Sequence, residues 1–271
     1  RASISGSRGR AFDIQTVTHV TPDSYTIEAQ GTLDKRALKL LTPAVLKREG
    51  DDWRLAPTRL SFSGGEAEVG GRFATGQTDI TAALTQMPLT ILDIGYPGLG
   101  LGGTASGKLN YATRAGQAPT GRIDMTVRRL SRAGLVLTSR PVDVGVAGVL
   151  SANQLGIRAI AASDGKTIGR AQALLKPLGS GDLVTRIRAA PIFAQLRYVG
   201  AADTLWRLTG IEFFDLSGPV SIGADVRGRV ADPRITGVVQ ANGARIESAT
   251  TGTVLTNVQA TGRFGGSQLR I

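Results

Sequence analysis

Residues Gly218–Gly243 have the sequence GPVSIGADVRGRVADPRITGVVQANG, and this stretch decides the fold class. A glycine opens an alternating segment, a short turn follows, and Pro and Gly lie close together before a second alternating segment. The same order recurs in Gly103–Val127, GTASGKLNYATRAGQAPTGRIDMTV. Repeated β-hairpins of this kind indicate an array that grows by adding strands to a sheet. Function is therefore expected on an extended surface rather than at one catalytic point.

Alternating apolar residues continue on both sides of these hairpins and predict an all-β chain with a mainly antiparallel sheet. Three stretches depart from this alternation and predict short helical insertions near 34–48, 88–94 and 201–209. In the first, apolar residues at helical spacing follow a possible N-cap at Asp34, and Pro43 predicts a kink or two short pieces. Leu183, Thr185 and Ile187 alternate and predict a strand. Single strands do not alternate with long helices, which argues against a parallel sheet.

The composition favours a large sheet with one polar face. The 271 residues include 36 Gly, only 5% aromatics and no Cys, so disulfides and thiolate metal sites are excluded. The net charge of +11 comes mainly from arginine and favours acidic partners. The basic residues are scattered at alternating positions, which is typical of a solvated face. Because interleaved aromatic residues and nucleic-acid-binding motifs are missing, no nucleic-acid partner is predicted.

Candidate catalytic motifs lack the context that their chemistry needs, so the sequence predicts neither an enzyme nor a cofactor. His19 is the only histidine, which leaves no set of histidine and cysteine metal ligands. Gly98–Gly103 matches GxGxxG but precedes a strand-like segment instead of the helix that a dinucleotide site requires. Gly102–Lys108 matches GxxxxGK, yet Leu109 occupies the position of the Ser or Thr that binds Mg²⁺.

The apolar face of so long a sheet must be covered, and the sequence leaves several ways open. Three short helical pieces cannot cover about 16–20 strands, which at ~4.8 Å spacing span roughly 80–95 Å. A closed sandwich or barrel is the usual solution and is favoured by the pattern alone. A strongly curved sheet with an apolar trough, filled by acyl chains, also fits. The chain begins and ends in strand-like sequence, so we expect an interior segment of a longer protein.

Several stretches resemble the TamB family of the AsmA-like superfamily. Trp53–Tyr111 contains LAPTRLSFSGGEAEVGGRF and MPLTILDIGYPGLGLGGTASGKLNY. Pro191–Gly243 contains PIFAQLRYVGAADTLWRLTG and DLSGPVSIGADVRGRVADPRITGVVQANG, and the chain closes with GTVLTNVQATGRFGGSQLRI. The motifs are degenerate, but their order is distinctive. The resemblance covers most of Arg54–Ile271 and is weaker before Arg54.

This resemblance implies one continuous repeat-type segment over residues 1–271, with a long curved antiparallel sheet folded into a taco-shaped, or U-shaped, hydrophobic groove. TamB-like proteins are periplasmic and are anchored in the bacterial inner membrane by an N-terminal helix, which this sequence lacks. They reach TamA, a BamA-like outer-membrane protein, through their C-terminal end, a region outside this segment. The resemblance implies no catalytic residues and no cofactor.

The expected function is that of a bridge-like phospholipid conduit toward the outer membrane, in which acyl chains slide along an apolar wall. The alternative is an assembly factor, or chaperone, for outer-membrane β-barrel and autotransporter proteins that acts by β-augmentation. Plain core packing is the competing interpretation for every residue of the wall. The residues predicted to line the groove are Leu60, Phe62, Val69, Phe73, Ile80, Leu109, Ile123, Met125, Val127, Val142, Val144, Val146, Ile187, Val220, Ile222, Val226, Ile235, Val239, Val254 and Val258.

Overall fold

A computed structural model describes residues 2–7, 11–94, 96, 98–134, 137–151, 153–179, 182–248, 250–266 and 268–270. Strands make up 72% of these residues, and their pairing is antiparallel. The predicted all-β class with short helices is therefore confirmed. The chain separates into two compact units, Arg1–Val127 and Arg128–Ile271, which are described one at a time below.

Unit 1 is a series of antiparallel strands joined mostly by tight turns, because alternating apolar segments are separated by turn residues such as Pro22–Asp23 and Ser63–Gly64. A 3₁₀ helix, Leu89–Ile94, follows the eighth strand, close to the predicted insertion at 88–94. The strands are β1 (Ala2–Ser7), β2 (Ala11–Thr21), β3 (Ser24–Leu33), β4 (Arg36–Leu40), β5 (Ala44–Glu49), β6 (Asp52–Phe62), β7 (Gly65–Ala74), β8 (Gln77–Pro88) and β9 (Leu101–Arg114).

The predicted helical insertion near 34–48 is wrong, since this stretch forms strands β4 and β5. Asp34 and Lys35 both have positive φ, 52° and 63°, and form the two-residue turn between β3 and β4. Leu38 and Leu40 then lie opposite Phe62 and Leu60 of β6. Pro43 separates the two strands. Pairing with β6, which is distant in sequence, outweighs the local helical spacing.

Strand β10 (Thr120–Arg132) pairs with β9 and runs from residue 127 into residue 128, where unit 2 begins. Unit 2 contains nine further strands and two short helices. The strands are β11 (Val142–Ser151), β12 (Gln154–Ser163), β13 (Lys166–Leu175), β14 (Ile192–Ala201), β15 (Phe214–Ser217), β16 (Pro219–Arg229), β17 (Asp232–Ser248), β18 (Val254–Gly266) and β19 (Gln268–Arg270). The repeated hairpins predicted from the sequence correspond to β9–β10 and β16–β17.

The helices of unit 2 are α1 (Leu183–Ala189) and α2 (Ala202–Thr209). Helix α2 confirms the predicted insertion near 201–209. Helix α1 replaces the predicted strand at Leu183–Ile187, which was wrong. The cause is local: the Asp182 carboxylate accepts hydrogen bonds from the backbone N–H of Val184 and Thr185 at 3.0 and 3.1 Å, which is an N-cap. These hydrogen bonds and that from the Thr185 hydroxyl lower the pKa of Asp182, the hydroxyl having the largest effect.

Each unit has a small buried core beside a short helix. In unit 1, Leu33, Leu38, Phe62 and Met87 are buried, and Ile91 of the 3₁₀ helix packs against them. In unit 2, Tyr198, Ala202 and Val220 are buried, and Leu205 of α2 packs against them. These helices cover only part of the sheet in each unit.

Candidate functional site

Cross-strand register gathers the apolar side chains of unit 2 on one face of seven strands, here called the apolar face of unit 2. Directly paired residues of an antiparallel sheet lie side by side on the same face, so each row of partners can be followed from strand to strand. Read from β11 to β14 and from β16 to β18, the three central rows are Val144, Ala161, Gly169, Tyr198, Ile222, Val239 and Gly262; Val146, Ala159, Ala171, Leu196, Ala224, Gly237 and Phe264; and Gly148, Ile157, Ala173, Ala194, Val226, Ile235 and Gly266.

These rows contain no carboxylate and no basic side chain. Their one polar group is the Tyr198 hydroxyl, which donates to the carbonyl oxygen of Ala201 at 2.6 Å, and burial raises the pKa of this tyrosine. Glycine and alanine are frequent, so the backbone itself forms much of the wall. Gly237 is required by its geometry: its φ is 150°, and a Cβ there would lie 2.0 Å from the carbonyl oxygen of Gly223.

The apolar face of unit 2 is covered only in part. Tyr198 is the only large side chain of the three rows that is buried, among the residues whose burial is described, and Leu196 is exposed. The accessible surface of the chain is 16500 Å². A compact monomer of 28.2 kDa would expose about 11,000 Å², and even two separate compact domains of half that mass would expose about 13,500 Å². The chain therefore exposes more surface than compact folds of its mass.

Unit 1 has a corresponding apolar face. One of its rows joins Thr58, Val69, Ala82 and Leu109 through direct pairs from β6 to β9. The face continues to β10, since a Cβ on Gly107 would lie 2.7 Å from the Cα of Met125. The opposite face is polar, and its side chains form exposed ion pairs such as Arg59 with Glu66 at 2.5 Å. Hydrogen bonding to Glu66 raises the pKa of Arg59.

The structure places eighteen of the twenty predicted lining residues on these apolar faces. Of these, Phe62, Val142 and Val220 are buried, Val69, Phe73 and Leu109 are exposed, and the remainder are half-buried. Those of unit 1 are Leu60, Phe62, Val69, Phe73, Ile80, Leu109, Ile123, Met125 and Val127. Those of unit 2 are Val142, Val144, Val146, Val220, Ile222, Val226, Ile235, Val239 and Val258.

Two predicted lining residues lie elsewhere. Ile187 belongs to helix α1 and not to a strand. Val254 is exposed and pairs with Glu247, because the register of β17 and β18 shifts twice and Asn257 has a φ of 56°. A residue in this left-handed region reverses the alternation of the residues beyond it. Leu255, its neighbour, pairs instead with Ile246.

Helix α2 is fastened across one end of the unit 2 strands. The Arg132 guanidinium, at the end of β10, donates to the carbonyl oxygen of Thr209 at 2.9 Å. Arg207 of α2 donates to the carbonyl oxygen of Thr138 at 3.1 Å. Arg140 binds the buried Asp203 carboxylate at 2.7 Å. Strands β11 to β14 separate β10 from α2 in the order of the chain and of the sheet. Helix α2 and the loop after it therefore extend across the ends of those strands.

Arg207 also binds Asp215 through two hydrogen bonds of 3.0 and 2.6 Å. The hydrogen bond from Arg207 lowers the pKa of Asp215, and the same contact raises the pKa of Arg207. Trp206 stacks on Phe214 with a centroid distance of 4.5 Å and donates to its carbonyl oxygen at 2.8 Å. Sequence analysis missed the contacts of α2 and Thr209 with Arg132, Thr138 and Arg140, because these partners lie about seventy positions away in the chain and match no local pattern.

Several surface hollows lie against the polar faces. One in unit 1 is lined by Glu68, Lys108 and Asp124, and another in unit 2 is lined by Val149, Leu174 and Phe193. In the described part of the chain, no group of three or more His, Cys, Asp or Glu residues could hold a metal ion. None of the described helices has the length and apolar character needed to span a bilayer.

Comparison of this chain with protein-family models, with curated proteins and with solved structures finds no match. The candidate site is therefore defined by the geometry of the two apolar faces.

Proposed function

We propose that the apolar faces bind the acyl chains of phospholipids, and that the chain is a segment of a bridge-like conduit that carries phospholipid between membranes. The observation that carries this proposal is the set of continuous apolar rows across β11–β14 and β16–β18, whose large side chains are mostly half-buried. Moving such an apolar surface from contact with water into contact with hydrocarbon lowers its free energy.

The expected mechanism is partition without specific recognition. Removing an acyl chain from water contributes about 0.8 kcal/mol of binding free energy per CH₂ group. An apolar wall that covers one side of the acyl chain supplies part of that amount. Because the rows are uniform and rich in small residues, a bound chain meets few barriers to sliding. The headgroup stays in water beyond the apolar rows.

The resemblance to the TamB family supports the setting that we propose for this conduit. The protein would lie in the periplasm, anchored to the inner membrane by a segment outside this sequence. It would reach TamA through a region that is also outside it. Transport toward the outer membrane is part of the same proposal.

Photo-crosslinking inside cells tests the proposal. A photoreactive benzoylphenylalanine is placed at Leu196, which is exposed on the apolar face, or at Val199, which is exposed on the opposite face of the same strand. The chain is expressed in a bacterium, irradiated in cells and examined by mass spectrometry. We expect phospholipid adducts from position 196 and none from position 199.

A second measurement compares charge insertion on the two faces. Val239→Asp places a carboxylate in an apolar row, whereas Val238→Asp, its neighbour, places one on the opposite face where Val238 is exposed. We expect co-purified phospholipid to fall about tenfold or more in the first variant only, with both variants folded by circular dichroism. Should Val239→Asp unfold, Val239→Thr replaces it. Equal amounts of co-purified phospholipid in the Val239→Asp and Val238→Asp variants would exclude the conduit. Photo-crosslinks from position 196 to client proteins, with none to phospholipid, would also exclude it.

A further inference from the structure

A short apolar row interrupts the polar face of unit 2, on the side of the sheet opposite to the proposed lipid surface. Val149, Gly156, Leu174 and Phe193 are direct partners across β11, β12, β13 and β14. The exposed fractions of Val149, Leu174 and Phe193 are 48%, 41% and 40%. Isolated exposed apolar residues are common, but a contiguous row across four strands marks a contact surface.

This row is recessed at its centre. Gly156 lies between Val149 and Leu174, and a Cβ added to Gly156 would meet no atom within 4 Å. The missing side chain leaves a hollow that Val149, Leu174 and Phe193 border. A recess of this kind accepts one protruding side chain from a partner. A bilayer surface, by contrast, is engaged by apolar side chains that protrude from the protein.

Arginines lie in and beside the recess, and within the described part of the chain they have no acidic partner. The Arg227 guanidinium lies over the Phe193 ring, 5.6 Å from its centroid. Arg227 also pairs directly with Arg234 across β16 and β17, an arrangement of like charges that is unfavourable by itself. Arg158 lines the hollow on β12. None of these three arginines forms an ion pair with another described residue.

We propose that this surface, the outer notch, binds an extended acidic peptide segment of a partner protein. The outer notch consists of Val149, Gly156, Leu174 and Phe193 together with the Arg227–Arg234 pair. One large apolar side chain of the peptide fills the space above Gly156. Carboxylates that follow it lie against Arg227 and Arg234, where they relieve the repulsion between the two guanidinium groups.

The test uses a fluorescein-labelled peptide in which one Phe is followed by three Asp, titrated with the whole chain and read by fluorescence anisotropy. Two control peptides replace the Phe by Ala or the three Asp by Lys. The blocking variant is Gly156→Val, which fills the recess without a clash. Its matched control is Gly145→Val on the same polar face, where an added Cβ also meets nothing within 4 Å. Arg227→Glu tests the charge contribution.

We expect the Phe-and-Asp peptide to bind, and both control peptides to bind at least about tenfold more weakly. Gly156→Val and Arg227→Glu weaken binding by a similar factor, and Gly145→Val leaves it within about twofold. The proposal is overturned if the native chain does not bind the peptide at about 1 mM, or if Gly156→Val and Gly145→Val bind it equally. Binding to vesicles of anionic lipid that Gly156→Val abolishes, without peptide binding, would also overturn it, since the partner would then be a membrane.

Discussion

The Arg132 guanidinium donates a hydrogen bond to the carbonyl oxygen of Thr209 at 2.9 Å. Arg132 lies at the end of β10, and Thr209 ends helix α2, which follows β14, so strands β11 to β14 separate the two residues. Four strand spacings correspond to about 19 Å in a flat sheet, and a helix of eight residues is about 12 Å long. Helix α2 and the long Arg132 side chain together bridge the strand ends, and Leu205 of α2 packs against the buried Tyr198 and Val220, so the helix covers one end of the apolar face of unit 2. The lipid surface that we propose is correspondingly limited at this end by a docked helix.

The Arg207–Asp215 ion pair is expected to hold this helix in place. Arg207→Met leaves the mostly buried Asp215 carboxylate without its cation and should lower the free energy of unfolding by about 1–2 kcal/mol. Urea denaturation measures this loss, and hydrogen exchange should show faster exchange in residues 202–217. Arg245→Met, which breaks the exposed pair with Glu247, is the control and should cost less than about 0.5 kcal/mol. Equal losses in both variants would contradict the role of the pair.

Stability should also depend on pH through Asp215. The hydrogen bond from Arg207 holds the folded-state pKa of Asp215 below its ordinary value. Its contribution is therefore present above the unfolded pKa of about 4 and is lost as the pH falls through the lower, folded-state value. The difference in unfolding free energy between the native chain and Asp215→Asn should shrink between about pH 6 and about pH 3, by urea denaturation at each pH. A difference that stays constant would show that the carboxylate charge is irrelevant.

Replacing each of two phenylalanines of unit 1 by alanine distinguishes a core residue from a residue that lines the apolar face. Phe62 is 1% exposed within the core formed with Leu33, Leu38 and Met87, while Phe73 is 38% exposed on the same face. Phe62→Ala should lower the free energy of unfolding by about 3–4 kcal/mol, and Phe73→Ala by about 1 kcal/mol. If urea denaturation gave similar costs for both, Phe73 would be a core residue and unavailable to a ligand.

The glycine at position 237 should be irreplaceable. Gly237→Val combines a left-handed φ with a clash against the carbonyl oxygen of Gly223, and we expect a loss of at least ~2 kcal/mol. Thermal unfolding followed by circular dichroism measures the loss. Gly145→Val, in open space, is the control and should be neutral or stabilising. If Gly237→Val unfolded at the same temperature as the native chain, β16 and β17 would be able to move apart enough to accommodate the added side chain.

The candidate site could be predicted from the sequence as far as alternation persists. In β16 and β17 every second side chain is apolar, so Ile222 and Val239 are placed on one face by strand geometry alone. Prediction failed where one local feature changed the pattern, as at Asn257, which follows Val254, and at the Asp182 cap, which precedes Ile187. One residue with unusual φ or one side-chain hydrogen bond is enough to reverse or end an alternation, and composition does not reveal it.

By itself, the sequence determined that the chain is all-β, that its strands pair in an antiparallel manner and that one face is apolar. These properties depend on neighbouring residues, through the period of two and the residues of the turns. The tertiary structure alone decided that residues 36–49 are strands, that α2 is bound by Arg132 and Arg140, and that Arg227 lies opposite Arg234. Each of these depends on contacts between residues far apart in the chain, or on the exact register of a pair of strands, and the free energy of such contacts exceeds the local preferences that a sequence displays.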